Sequence, residues 1–155
     1  MNKKDFLDAL HQIRTRNGSF SLAFNVTEST NNILSEFPEL METVVNDLAM
    51  EICFYAEQDS SDKVMVAEQS LYAMEKAVDF IGSVQLMKEF FSILEELSKV
   101  TMVYDGMATG IILEYILDNF KKYEGMLGVY PSSYDDVKTN LLSKYDWLEE
   151  YLEKS

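Results

Sequence analysis

An all-α fold is what this 155-residue sequence predicts, and three observations carry the prediction. Glycine occupies only 6 positions and proline only 2, so the chain has few breakers. Apolar residues make up 47% of it, and in most of the chain they recur at steps of three and four, the spacing of one helical face. The breaks between these stripes are short, which favours antiparallel neighbours and a compact bundle or array of about six helices. At this length one domain covering residues 1–155 is expected, with enough core to stand alone.

The elements follow in order. Residues 3–16 place Phe6, Leu7, Leu10 and Ile13 on one face. Arg14 and Arg16 fall in the last turn, where cations suit the helix dipole, and Asn17-Gly18 is the expected stop. The next segment breaks the pattern. Phe20, Leu22, Phe24 and Val26 alternate with polar or small residues, the period of a half-buried strand. A lone strand leaves its backbone groups unpaired. The segment is therefore expected to form an extended arm or a short β-hairpin with Leu127-Gly128-Val129-Tyr130; a short helix joining Phe20 and Phe24 is the third option. Residues 28–35 are rich in Ser, Thr and Asn and predict one weak helical turn.

Pro38 suits a first helical turn, and the stripe Leu40, Met41, Val44, Val45, Leu48, Ile52, Tyr55 carries that helix to about Gln58. Asp59-Ser60-Ser61-Asp62 is a turn. Val64, Ala67, Leu71, Met74, Val78 and Ile81 mark the next helix, which ends at Gly82-Ser83. Leu86, Phe90, Phe91, Leu94 and Leu97 mark another. Thr101 is read as the cap of a long helix to about Tyr123; Gly106 and Gly110 within it predict close approach by a neighbouring helix. Gly125, Gly128 and Pro131 then interrupt the chain, and Ser133 caps a last helix with Val137, Leu141, Tyr145, Leu148 and Leu152 inside.

Several chemistries are disfavoured. His11 is the only histidine and Cys53 the only cysteine, so paired-histidine metal motifs, cysteine zinc sites and internal disulfides are absent. Cys53 lies in an apolar run and reads as a buried small hydrophobe. No cofactor motif is present; Gly106 and Gly110 lack the strand–turn–helix context of a phosphate loop. The longest apolar stretch, 100–117, contains Asp105 and Glu114, so no membrane span is expected, and with no leader-like start the expected location is cytoplasmic. A net charge of -14 excludes direct nucleic-acid binding.

That charge is unevenly spread. Residues 1–16 hold Lys3, Lys4, Arg14 and Arg16 against Asp5 and Asp8. Residues 17–62 hold no Lys or Arg, but Glu28, Glu36, Glu39, Glu42, Asp47, Glu51, Glu57, Asp59 and Asp62. Solvated helix faces gain from mixed-sign pairs, so a base-free stretch points to a surface for a basic partner. Glu36, Glu39, Glu42, Asp47, Glu51, Glu57, Asp59 and Asp62 are the predicted partner-binding acids. Trp147 and Tyr151, off the last helix's apolar stripe, are the aromatic candidates. The functional expectation is a non-enzymatic, immunity- or antitoxin-type inhibitor that covers the groove of a basic toxin such as a nuclease. The alternatives are a nucleic-acid mimic directed at a DNA-binding enzyme and a generic adaptor. Charge reversal at Glu39, Glu42, Asp47 or Asp59 is expected to impair binding more than at Glu89 or Glu95.

Overall fold

The computed structural model describes residues 1–124 and 132–155. All of the regular structure in them is helical: α1 (Lys3–Arg14), α2 (Phe20–Glu36), a 3-10 turn (Pro38–Leu40), α3 (Met41–Ala56), α4 (Ser61–Ile81), α5 (Val84–Lys99), α6 (Met107–Lys122), α7 (Tyr134–Lys144) and α8 (Leu148–Lys154).

The first four helices alternate in direction. Lys3–Glu39, Arg14–Asp47 and Arg16–Glu51 ion pairs follow one another along α1 and α3, so these two run the same way. Lys63 reaches the Gly18 carbonyl and Lys76 that of Thr27, so α2 and α4 also run together, opposite to the first pair. Helix α1 packs on α2 and α3, and α4 on α2 and α3. Tyr55 closes one end of this group. Its hydroxyl donates to the Ile13 carbonyl and accepts from the Gly18 N–H, both at 3.2 Å, tying the end of α3 to the α1–α2 turn. Helix α5 packs on α3, α4 and α6, and α6 also meets α4, α7 and α8. Buried side chains from α1 through α8 join one apolar cluster.

Four expectations are corrected. Residues 20–26 are neither strand nor arm but the start of α2, which also absorbs 28–35. Ser19 caps it by accepting the Leu22 N–H. The buried face is Ala23, Val26, Thr27, Thr30, Ile33 and Leu34, a helical stripe disguised because two members are threonines. Those hydroxyls bond to helix carbonyls, Thr30 to Val26 at 2.5 Å and Thr27 to Ala23 at 2.9 Å, so they enter the core without unsatisfied groups. The proposed hairpin partner, Leu127 to Tyr130, lies outside the described residues.

The end of α1 is set by Arg16, which takes the left-handed conformation (φ 65°), and not by Gly18. Arg16 and Asn17 N–H groups bond back to Ile13 and Gln12, the paired contacts of a Schellman cap. The helix expected from Thr101 starts only at Met107. Residues 101–105 stay non-helical, held by the Met102 N–H on the Tyr145 hydroxyl at 2.9 Å. Gly106 is therefore the N-cap of α6 and lies outside the helix. The last helix is two helices, α7 and α8, broken at Tyr145–Trp147. Lys144, at the break, donates to the Ser98, Lys99 and Val100 carbonyls at the end of α5, where a cation suits the helix dipole.

Candidate functional site

The structure divides the predicted acidic surface. Three of its members face α1: Glu39 pairs with Lys3, Asp47 with Arg14, and Glu51 with Arg16. Glu51 is only 4% exposed. The cations missing from residues 17–62 are thus supplied in part by the first helix, and these three carboxylates serve the packing of α1 on α3. Glu36, Glu42, Glu57, Asp59 and Asp62 are exposed and make no ion pair among the described residues. They occupy two ends of the bundle. Glu36 and Glu42 flank the α2–α3 turn, and Glu57, Asp59 and Asp62 the α3–α4 turn. The length of α3, 16 residues or roughly 24 Å at helical rise, separates the groups.

The α3–α4 end carries the richer surface. A cavity of about 230 Å³ opens beside the first turns of α4 and α6, lined by Ser61, Met65, Glu68, Tyr104, Met107, Ala108 and Ile111. Met107 in this lining is 74% exposed, and Val103, which precedes the lining Tyr104 in sequence, is 56% exposed. Within it, Glu68 is only 9% exposed. Burial raises the Glu68 carboxyl above its ordinary value, with the neighbouring Tyr72 hydroxyl acting in the opposite direction. Tyr72 is pushed up as well, by burial first and then by the charge of Glu68. Tyr115 packs edge-on against Tyr72 (5.1 Å between centroids) and donates to Glu75, another carboxyl raised by burial first and by Asp79 second. Buried Glu68 and half-buried Tyr72, Glu75 and Tyr115 thus run down the α4–α6 seam. Sequence reasoning missed Glu68 and Glu75. The available signal was their position four residues after Val64 and Leu71, where an apolar stripe would place carbon.

Trp147 and Tyr151 border this surface. Both are partly buried against the core, with rings 6.2 Å apart edge-on. With Asp105, Glu150 and Lys154 they line a shallow groove of about 280 Å³. Tyr151 lies over Gly110, where a Cβ would come within 2.7 Å of the ring. The expected close approach therefore falls on Gly110, from α8. Asp105 sits between Tyr104 and Met107 in sequence, so the 103–107 segment joins the two recesses.

Other candidates stand apart. Cys53 is partly buried, and burial, followed by the charges of Glu96 and Glu57, pushes its thiol up to about 11. His11 is exposed on α1. Among the described residues no group of three or more His, Cys, Asp or Glu is placed to hold a metal ion, and no helix is long and apolar enough to cross a membrane.

The class defined by these features is an all-α protein with an acidic, partly apolar surface at one end. No known family matches the chain, and neither a curated protein nor a solved structure matches it.

Proposed function

We propose that this chain is a protein-binding inhibitor of the immunity or antitoxin type, which covers the groove of a basic protein such as a toxic nuclease. The observation that carries the reading is the surface at the α3–α4 end. Exposed Met107 lines a cavity together with Glu68 and Ser61; exposed Val103 and Asp105 lie on either side of the lining Tyr104 in sequence, Asp59 and Asp62 lie within two residues of Ser61, and none of these carboxylates makes an ion pair among the described residues. Apolar contact supplies affinity, while the unpaired acids select a cationic partner and speed its approach. The contact set favoured by this geometry is Glu57, Asp59, Asp62, Asp105, Trp147, Tyr151 and Glu150. The nucleic-acid mimic has less support, since the exposed, unpaired acids Glu36, Glu42, Glu57, Asp59 and Asp62 fall at two ends, and Glu39, Asp47 and Glu51 between them are paired with Lys3, Arg14 and Arg16. A generic adaptor shares the surface and differs in having no activity to block.

The test is affinity capture from the cells that make the protein, followed by binding and activity assays on the captured partner. The partner should carry a basic groove, lose activity when bound, and bind more weakly as salt rises. Asp59→Lys and Asp62→Lys should weaken the complex, and Glu89→Lys should not. A partner with an acidic contact surface, or an affinity indifferent to salt, overturns the reading.

A further inference from the structure

Among the described residues two carboxylates, Glu51 and Glu68, are buried, and they are treated differently. Glu51 is matched from within by Arg16, whose Nε lies 3.0 Å from its oxygen. Glu68 has no cation among the described residues. It stands on the wall of a cavity whose other lining is largely apolar, and that cavity opens at an exposed apolar rim. Removing a charge from water is costly unless a counter-charge meets it. The cavity is therefore complementary to a group with an apolar stem and a single positive end.

We propose that this cavity receives a lysine side chain of the basic partner, with its ammonium on Glu68. The inference rests on the function proposed above and deepens it. Size allows it: about 230 Å³ is roughly eight water volumes at about 30 Å³ each, against four methylenes and one nitrogen. Met65, Met107, Ala108 and Ile111 suit the stem, which lysine buries readily while its head stays polar. The head group follows from the lining. Glu68 is its one carboxylate and most of the remaining wall is apolar, so a guanidinium would leave most of its five donors unpaired, whereas a compact ammonium on a four-methylene stem leaves fewer. Met107, exposed at the cavity, then touches the partner's surface around the inserted residue.

The test uses methyl-labelled methionine in the whole chain and n-butylammonium chloride as the probe, with n-butanol as its uncharged match and ionic strength held constant. Butylammonium should shift the Met65 and Met107 methyl signals saturably, leaving Met50 unmoved. Glu68→Gln, with a spectrum otherwise native, should weaken that binding at least tenfold, and butanol should bind at least tenfold more weakly than the ammonium. Equal binding of butanol, an unchanged affinity in Glu68→Gln, or shifts shared by Met50 overturn the inference. The two proposals separate cleanly. A basic partner held with full affinity by Glu68→Gln removes the lysine pocket and keeps the inhibitor. Glu68-dependent binding of butylammonium by a chain that captures no basic protein keeps the pocket's cation selectivity and removes the inhibitor.

Discussion

Replacing Arg16 tests whether the base-free stretch is neutralised from within. Its Nε lies 3.0 Å from Glu51 Oε2, and its guanidinium lies 4.1 Å from the Phe54 ring centroid. At that separation and an effective dielectric near 20, the attraction is roughly 5–6 kcal/mol before desolvation is charged against it. Stranding a fully buried carboxylate costs about 3–5 kcal/mol. The Arg16 side chain is 57% exposed, however, so water can reach the vacated side and the effect must be discounted. Arg16→Ala is expected to cost about 2 kcal/mol, a fall of about 1 M in the urea midpoint for a slope near 2 kcal/mol/M. Arg16→Gly removes the same charge at a left-handed position (φ 65°), where glycine is favoured by about 1 kcal/mol over a residue with a Cβ. It should therefore lose about half as much. Glu51→Gln added to Arg16→Ala should cost less than the two changes separately, because the first removes the charge the second strands. A loss below about 0.5 kcal/mol for Arg16→Ala, or a glycine variant no more stable than the alanine one, would refute the reasoning.

Three further predictions follow from the same contacts. Glu68 and Glu75 titrate above their ordinary value of 4.5, so the folded state holds their protons more tightly than the unfolded state. Their contribution is fully present below that ordinary value and is lost as pH rises through the folded values. The melting temperature should thus fall as pH rises above about 4.5, and the fall should be shallower in Glu75→Gln; a melting temperature that rises on this limb contradicts the assignment. Cys53, pushed up from 9.0 to about 11, should react with iodoacetamide at neutral pH about a hundredfold more slowly than a free thiol, the drop in thiolate fraction. A rate matching that of glutathione would show the thiol to be unshielded. Gly110→Ala places a methyl 2.7 Å from the Tyr151 ring. Overpacking of about 1–3 kcal/mol competes with a helix-propensity gain of about 1 kcal/mol, so α8 should shift and change the Trp147 fluorescence maximum even where global stability changes little. An unchanged emission spectrum counts against the contact.

Helical class was legible because stripes at steps of three and four need only local spacing: α3, α4 and α5 lie where Val44 to Tyr55, Val64 to Val78 and Phe90 to Leu97 put them. Gly82 was legible as a stop because a left-handed cap suits glycine without reference to distant residues. The N-cap Ser133 is likewise local, accepting an N–H three residues on. Polar members of a buried face were not legible. Thr27 and Thr30 look like surface until their hydroxyls are seen to bond to helix carbonyls, and that concealment turned α2 into an apparent strand.

Net charge of -14 and its absence of bases over residues 17–62 belong to the sequence alone, because charge is counted without coordinates. Which of those charges are free is a different matter. A cation cancels an acid only within a few ångströms, and α1 returns from far along the chain to place Arg14 and Arg16 on α3. That same contact holds arginine in the left-handed position where the neighbouring glycine was expected. Glu68 presents the converse case. Its place in a helical stripe is written in the sequence, but only the packing of α6 against α4 leaves it buried and facing a cavity. Local spacing decides which segments coil, whereas distances between segments decide which charges are satisfied and which await a partner.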